Sequence, residues 1–275
     1  MAEPIHTFVV VAYGRSPHLE ACLTSLRRQT VASAVTLSTS TPFDGLDELC
    51  ARYDVTLAVH GPNRGIGHDW NMGLRAARTD WVTLAHQDDI YAPGYAAFVH
   101  DVAVRHPDDL LAFCAYDELA GDEDRERVPM LRVKRALVEL AFVGRHHIAG
   151  RRAKCRLLRF GNPVACPTVA LHRARLADFA FRTDMRTNMD WMAWLDLAAR
   201  EGGFSVERAP LVSHRIHAGS ETSATIGTGH RADEDREVFD RLWPRPVASS
   251  LSRLYALSYR SNVVAEAARG RAGVS

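Results

Sequence analysis

The chain lacks the features that are typical of membrane, secreted and nucleic-acid-binding proteins. None of its apolar runs approaches the ~20 residues that span a bilayer. Its N-terminus has no basic segment followed by a long apolar one, so we expect no signal peptide. The formal net charge is only +1, whereas a nucleic-acid-binding domain is usually strongly basic. We therefore expect a cytoplasmic protein that binds no nucleic acid.

Cysteine is also scarce. The 275 residues include five cysteines, an odd number, and none belongs to a Cys-x-x-Cys pair. This pattern predicts reduced thiols and argues against a disulfide framework or a cysteine-based zinc site. The composition, 47% hydrophobic and 24% charged, is ordinary for a globular protein. The cysteines are Cys22, Cys50, Cys114, Cys155 and Cys166.

Short apolar runs alternate with helical patterns along the first half of the chain. Thr7 to Ala12 is continuously apolar, as expected of a parallel strand that is buried on both faces. Because strands that alternate with helices form βαβ units, the sequence predicts an α/β fold with a mostly parallel sheet. A helical pattern also follows Trp243. The other predicted strands span about residues 34–38, 55–59, 81–85 and 110–116.

The strand at residues 81–85 breaks directly into a polar turn with two adjacent carboxylates. Carboxylates suit a hard divalent cation such as Mg²⁺ or Mn²⁺, and α/β proteins bind ligands at the carboxyl ends of their strands. A solvated acidic turn explains the same residues equally well when they are taken alone. The turn reads His86, Gln87, Asp88 and Asp89.

Five motifs follow one another between residues 6 and 225. They are Val-Ala-Tyr-Gly-Arg at 11–15, the paired Asn63-x-Gly65 and Asn71-x-Gly73, His86-Gln87-Asp88-Asp89, Asn188-Met189-Asp190-Trp191, and His214-Arg215-Ile216-His217-x-x-Ser220. Each motif alone is weak evidence, but their order strengthens them. In this order they resemble the motifs of family 2 glycosyltransferases with the GT-A fold.

The resemblance implies a Rossmann-like, mostly parallel central sheet flanked by helices, with a C-terminal helical tail. It implies a nucleotide-sugar-binding half at residues 1–115, an acceptor-binding half with the catalytic base at 116–225, and a helical extension at 226–275. The implied reaction moves a sugar, with inversion, from a nucleotide diphosphate sugar to an acceptor hydroxyl. The acceptor would be a glycan, a lipid-linked sugar or a small metabolite, as in polysaccharide biosynthesis.

The same resemblance implies catalytic roles for three carboxylates. Asp88, with Asp89 beside it, would hold Mn²⁺ or Mg²⁺ against the leaving diphosphate. Asp190 would take the proton of the acceptor hydroxyl. Its apolar neighbours favour a raised basicity, although the start of a helix equally favours a capping role for Asp190 or Asn188.

Polar residues near the other strand ends are predicted to bind the substrate. Tyr13 would stack on the nucleobase, and the loop that carries Arg215 and His217 suits contact with an anion. Turn and capping chemistry explains the Asn and Gly residues without any ligand. The predicted substrate-binding residues are Tyr13, Thr39, Asn63, Arg64, Gly65, Asp69, Asn71, His86, Gln87, Arg215 and His217.

The chain departs from the family pattern at several of these motifs. His86 replaces the first acid of the metal motif, Met189 replaces a glutamate, and the segment at 38–42 replaces an acidic loop. Trp70 stands where a basic residue is common. These changes leave open a GT-A-like protein that binds sugar nucleotides without turnover.

Other classes are weaker alternatives. A nucleotidyltransferase should have a Gly-rich phosphate loop after the first strand, where this chain has only one glycine, Gly14. A zinc hydrolase would need a third ligand beside His146 and His147. The basic stretch at 145–154 suits phosphate groups or peripheral contact with the inner face of a membrane. A solvated face balanced by the acidic residues of 121–127 explains it equally well.

Overall fold

The computed structural model describes residues 3–120, 123–124, 129–216 and 230–256. These residues form a central sheet with helices on both faces. The strands are β1 (His6–Ala12), β2 (Ala34–Thr39), β3 (Thr56–Val59), β4 (Trp81–His86), β5 (Ile90–Tyr91), β6 (Leu111–Ala120), β7 (Glu123–Asp124), β8 (His147–Ile148), β9 (Val169–His172) and β10 (Phe204–Ile216). The helices are α1 (Leu19–Arg27), α2 (Leu46–Arg52), α3 (Ile66–Ala76), α4 (Tyr95–Arg105), α5 (Pro129–Phe142), α6 (Arg151–Leu158), α7 (Met189–Ala199) and α8 (His230–Leu242), followed by a helical stretch at 245–256.

The strands lie in the order β3-β2-β1-β4-β9-β6-β10-β5. Strand β1 pairs in parallel with β2 and β4, and β6 pairs in parallel with β10. Strand β9 runs antiparallel between β4 and β6, and β5 runs antiparallel to β10. The predicted α/β fold with a mostly parallel sheet is therefore confirmed.

The sheet has a hydrophobic core on each face, which explains why β1 is apolar throughout. Phe8 and Val10 point into the core that α1, α2 and α4 cover, and Val9 points into the core beneath α3, α6 and α7. Helix α3 can lie close to the sheet because Gly73 has no side chain. A Cβ atom there would lie 3.2 Å from side-chain atoms of Val9 and Val11.

The C-terminal helices pack on the core beneath α7. Val238, Phe239 and Ala248 are buried there, and the ring of Phe239 meets that of Trp191 edge-on with centroids 5.3 Å apart. Residues from both predicted halves and from the tail thus share one core. Among the described residues, none of the helices combines the length and the apolarity required to cross a membrane.

Candidate active site

The turn that follows β4 is fixed to β10 through Asp89. The carboxylate of Asp89 is fully buried and accepts hydrogen bonds from His214 Nδ1, at 2.9 and 3.1 Å, and from the backbone N–H of Arg215, at 3.0 Å. The guanidinium Nε of Arg215 also donates to the backbone oxygen of Asp88 at 3.3 Å. Strand β10 therefore determines where this acidic turn lies.

Asp89 and His214 form a buried, charged pair. Burial alone would raise the pKa of Asp89, but the charge and hydrogen bond of His214, with help from His86 and Arg215, lower it. Burial alone would lower the pKa of His214, but the charge and hydrogen bond of Asp89, with the charges of Asp88 and Glu118, raise it. The pair therefore favours an ionised carboxylate and a protonated imidazole.

His86 adds a nitrogen donor to the carboxylate oxygen donors of the acidic turn. Ligand atoms of His86, Asp88 and Asp89 lie within 4.8 Å of one another. His86 Nε2 is buried and has no hydrogen-bond partner among the residues that the structure describes. Burial lowers the pKa of His86 despite the nearby carboxylates, so the imidazole is neutral at pH 7 and can ligate a metal. His86 Nδ1 lies 4.0 Å from Asp89 Oδ2, and this donor set fits a divalent cation.

Two departures from the family pattern pack against each other at this point. The ring of Trp70 on α3 lies beneath His86, with ring centroids 5.6 Å apart. Trp70 also meets Phe181 edge-on at 5.0 Å. The tryptophan that replaces a common basic residue therefore supports the imidazole that replaces a common acid.

Tyr13 and Gln87 are joined across the ends of β1 and β4. The backbone N–H of Tyr13 donates to Gln87 Oε1, and Gln87 Nε2 donates to the backbone oxygen of Tyr13, both at 3.2 Å. Residue Tyr13 is 64% exposed, so its ring is accessible from solvent. The amide of Gln87 is occupied by the backbone of Tyr13.

Several other residues that are predicted to bind the nucleotide sugar lie at the end of β2 and in the loop after β3. Thr39 is buried, and its hydroxyl oxygen accepts a hydrogen bond from the backbone of Thr41. Asn63 caps the turn by accepting from the N–H of Gly65 at 2.8 Å, and the exposed Arg64 lies between them. Ser40, which is not among the predicted binding residues, donates its hydroxyl hydrogen to Asp69 Oδ2 at 2.8 Å.

The side-chain amide of Asn71 forms hydrogen bonds with the backbone of Phe181. Its Nδ2 donates to the backbone oxygen of Phe181 at 2.9 Å, and its Oδ1 accepts from the N–H of Phe181 at 2.7 Å. Both ends of the amide are therefore engaged in fastening residue 181 to α3.

Asp190 lies in the first turn of α7, whose N-cap residue Asn188 makes no side-chain capping hydrogen bond. Asp190 Oδ2 accepts from Asn162 Nδ2 at 3.0 Å, and Oδ1 accepts from the backbone N–H of Trp191 at 2.7 Å. Burial raises the pKa of Asp190 to about 6, against the lowering effects of these hydrogen bonds and of the positive charges of Lys134 and Arg231. This value suits a general base at neutral pH.

The start of α7 is held by a residue that the sequence did not single out. The carboxylate of Glu234 on α8 accepts from the backbone N–H groups of Arg186, Thr187 and Asn188 at 2.7 to 2.9 Å, and from the Thr187 hydroxyl at 2.6 Å. Glu234 therefore satisfies the donors that precede the helix carrying Asp190.

Asp190 and the acidic turn have neighbouring residues in common. The pKa of the buried Cys166 thiol is raised by burial and then by the charges of both Asp190 and Asp89. Burial raises the pKa of Asp190, and the positive charge of Lys134 opposes that rise. Lys134 also donates to the hydroxyl of Tyr116 at 2.6 Å, and the ring centroid of Tyr116 lies 6.1 Å from that of His214. The predicted base and the predicted metal ligands thus border one region. His217 lies outside the described residues.

Comparison with known proteins agrees with this architecture. Glycosyl transferase family 2 matches residues 7–173, more than half of the chain. No curated protein sequence matches significantly. Among solved structures, residues 1–349 of S. aureus TarS in complex with UDP-GlcNAc are 14% identical with a TM-score of 0.63, covering 90% of this chain and 70% of that one. The mannosyltransferase PcManGT from Pyrobaculum calidifontis, in complex with GDP-Man and Mn²⁺, is 17% identical with a TM-score of 0.61, covering 98% and 80%.

At these identities the structural neighbours establish the GT-A fold alone, and the family match covers the strands and turn that carry Asp88 and Asp89. The chain belongs to glycosyl transferase family 2.

Proposed function

We propose that the protein is a metal-dependent, inverting glycosyltransferase that uses a nucleotide diphosphate sugar. The observation that carries this proposal is the Asp190 carboxylate, with its pKa raised to about 6, in the same region as the cluster of His86, Asp88 and Asp89. A basic carboxylate beside a cation site is the combination that glycosyl transfer to a hydroxyl requires.

Asp88 and His86 are the proposed ligands of Mn²⁺ or Mg²⁺, and Asp89 is the residue that anchors the turn through His214. The bound cation would stabilise the negative charge of the leaving diphosphate. Because imidazole suits transition metals better than it suits Mg²⁺, we propose Mn²⁺ as the preferred ion. PcManGT was crystallised with Mn²⁺, which agrees with this choice.

Asp190 is the proposed base. With a pKa of about 6 it is mostly ionised at pH 7 and can accept the proton of the acceptor hydroxyl as that oxygen attacks. Asn162 and the backbone of Trp191 orient the carboxylate. Displacement by one acceptor with one base leads to inversion at the anomeric carbon.

The donor is proposed to lie across the carboxyl ends of β1 to β4. Tyr13 supplies an exposed ring for the base, while the turn of Asn63, Arg64 and Gly65 and the anion-binding Arg215 border the rest of the donor. TarS was solved with UDP-GlcNAc and PcManGT with GDP-Man, which supports a sugar nucleotide of this type. We assign structural roles to Thr39, Asn71 and Gln87, whose polar groups already bind backbone atoms.

The acceptor is proposed to approach through a cleft between α5 and strands β6 and β10. Tyr116, Lys134 and Pro163 line this cleft, and Pro163 follows the asparagine that orients Asp190. The acceptor remains a glycan, a lipid-linked sugar or a small metabolite. We place the reaction in the cytoplasm, at or near the inner face of the membrane, and the five free cysteines agree with a reducing compartment.

The first experiment is a thermal-shift screen of UDP-, GDP-, dTDP- and CDP-sugars, with and without Mn²⁺, because a ligand of the folded state raises the melting temperature. Calorimetry and a transfer or donor-hydrolysis assay then follow with the donor that binds. Asp88→Asn should abolish metal-dependent donor binding. Asp190→Asn should bind the donor and lose transfer, while Asp196→Asn on the same helix should retain both.

Substantial transfer by Asp190→Asn would refute its role as the base. Donor binding without turnover by the wild-type chain, across acceptors of all three classes, would favour the non-catalytic alternative.

A further inference from the structure

A second group of metal-type side chains lies away from the acidic turn, where the loop after β3 meets the start of α3. It consists of His60, His68 and Asp69, whose ligand atoms all lie within 4.8 Å of one another. Asp69 Oδ1 is 3.6 Å from His68 Nδ1 and 3.9 Å from His60 Nδ1. These separations are too long for hydrogen bonds, so the three groups surround a common point without bonding to each other.

The cluster is half-buried, and four of its polar atoms are themselves buried and unsatisfied within the described part of the chain. The side chain of His60 is 9% exposed, and neither of its ring nitrogens has a hydrogen-bond partner within the described part of the chain. His68 Nδ1 and Asp69 Oδ1 are orphaned in the same way. Leaving a buried polar atom without a hydrogen bond is unfavourable, so three such atoms that face one another, His60 Nδ1, His68 Nδ1 and Asp69 Oδ1, indicate a ligand between them.

The surrounding backbone and side chains hold the cluster in place. Ser40 donates to the other oxygen of Asp69 at 2.8 Å, which leaves Oδ1 turned toward the two histidines. The N–H of His60 donates to the backbone oxygen of Thr39 at 2.9 Å, and the N–H of Asp69 donates to that of Gly65 at 3.1 Å. A hydrogen bond to the outer oxygen of a ligating carboxylate is the usual support of a metal site.

We propose that His60, His68 and Asp69 bind one divalent transition metal, with Zn²⁺ as the best match. Two imidazole nitrogens and one carboxylate oxygen are a known zinc donor set, which leaves a fourth position for water. Tetrahedral zinc with bonds of about 2.0–2.2 Å holds its ligand atoms about 3.3–3.6 Å apart. The distances of 3.6 and 3.9 Å from Asp69 Oδ1 to the two histidine nitrogens are within a few tenths of an ångström of that spacing. The exposed part of His68, 24% of its side chain, gives the ion a route from solvent.

This ion is distinct from the cation of the proposed transferase reaction. It would join the loop after β2, through Ser40 and Asp69, to the loop after β3 and to the first turn of α3. All three segments border the proposed donor site, so the metal would stiffen that side of the protein. Its role is structural and does not depend on the transfer chemistry.

The test is a Co²⁺ titration of the EDTA-treated full chain, followed by absorption spectroscopy. It is done in the Asp88→Asn background, which weakens the other cation site. We expect one equivalent of Co²⁺ with the intense visible bands of tetrahedral coordination, displaced by Zn²⁺. Zn²⁺ should also raise the melting temperature. His60→Gln and Asp69→Asn in this background should lose both effects, and Ser40→Ala should weaken binding about 10–100-fold.

His100→Gln, on the exposed side of α4, is the matched control and should behave like the parent. Circular dichroism of each metal-free variant establishes that it is folded. Equal Co²⁺ binding by the parent and a folded His60→Gln would overturn the proposal. So would a thiolate-to-cobalt charge-transfer band in place of the tetrahedral bands, or an absence of Co²⁺ binding by the folded parent.

Discussion

His214 Nδ1 lies 2.9 and 3.1 Å from the two carboxylate oxygens of Asp89, although the two residues are 125 positions apart in the sequence. Asp89 is fully buried, and the only other hydrogen bond to its carboxylate among the described residues comes from the backbone N–H of Arg215. The pair therefore joins the turn after β4, where the cation is proposed to bind, to strand β10.

His214→Ala should destabilise the protein, because it leaves a buried carboxylate without its charged partner. We expect a loss of about 2–4 kcal/mol in the free energy of unfolding at pH 6, measured by urea denaturation. His100→Ala, at an exposed position, should cost less than about 0.5 kcal/mol. A cost below about 1 kcal/mol for His214→Ala would mean that the pair does not hold the turn.

The same pair predicts how stability depends on pH. The pKa of His214 is raised in the folded state, so its contribution is complete below the unfolded value of about 6.5 and is lost as pH rises through the folded value. The pKa of Asp89 is lowered, so its contribution is present above about 3.9 and is lost as pH falls through the folded value. His214→Ala should therefore be most harmful between about pH 4 and 6.5 and less harmful at pH 9.

Asp190 gives a second pH dependence, of opposite sign to that of Asp89. Its pKa of about 6 means that the folded state favours the neutral acid, so stability falls as pH rises from about 4 through 6. Asp190→Asn should remove this loss and gain about 1–2 kcal/mol relative to wild type between pH 4 and pH 8, after allowance for one lost hydrogen bond. If Asp190 is the base, wild-type kcat/KM should fall below about pH 6, where its carboxylate is protonated. An acid limb below pH 5 would contradict the assignment.

The apolar runs and the polar turn could be read from the sequence because both are local patterns. Thr7 to Ala12 and residues 81–85 lie in adjacent parallel strands, and Asp88 and Asp89 follow the second of them, as expected. The partners of these residues could not be read in the same way. Neither the spacing nor the type of Glu234 indicates that it caps the segment before α7, 46 or more positions earlier.

Two further sets of contacts join segments that are distant in the sequence. Asn71 belongs to an Asn-x-Gly motif that suggests a ligand, yet its amide binds the backbone of Phe181, 110 positions later. His60 and His68 have no motif, and only the approach of two loops brings them to Asp69. Pairings of this kind depend on the packing of the sheet and α3, which no short pattern encodes.

His86→Asp should change the metal preference of the proposed active site. The variant replaces a nitrogen ligand with a carboxylate, and oxygen ligands suit Mg²⁺. We expect the ratio of Mn²⁺-supported to Mg²⁺-supported donor binding, measured by calorimetry, to fall about tenfold or more. His172→Asn, at a histidine on β9 bonded to the backbone of Asp109, should leave the ratio unchanged. An unchanged ratio in His86→Asp would remove His86 from the ligand set.

Gly67→Ala should destabilise the start of α3. A Cβ atom at Gly67 would lie 2.2 Å from the backbone oxygen of Arg182, and a backbone collision cannot be relieved by a side-chain rotation. We expect a cost of at least about 2 kcal/mol in thermal or urea unfolding, despite the better helix propensity of alanine. Gly150→Ala is the matched control, since a Cβ there meets nothing within 4 Å, and it should cost less than about 1 kcal/mol. Equal costs for the two variants would show that the approach of residue 182 is not tight.

Glu234→Ala should reduce both stability and the rate of transfer, because Glu234 fixes the backbone that leads into the helix of Asp190. Its carboxylate receives three backbone hydrogen bonds, which with the Thr187 hydroxyl lower its pKa although burial alone would raise it. We expect a loss of about 2 kcal/mol in stability at pH 7 and a fall in kcat of about 10–100-fold.

If Glu234 positions the helix that carries Asp190, the Glu234→Ala variant should change one kinetic constant and not the other. Donor affinity should be nearly unchanged, since α8 contributes no residue to the proposed donor site, and the loss should appear in kcat rather than in donor KM. Glu234→Gln keeps one oxygen acceptor and should recover part of kcat. Asp233→Ala, one position earlier and exposed, should retain full activity. If Glu234→Ala lowers stability but leaves kcat intact at a temperature where it is folded, then Glu234 merely stabilises α8, and Asp190 is oriented by Asn162 and Trp191 alone.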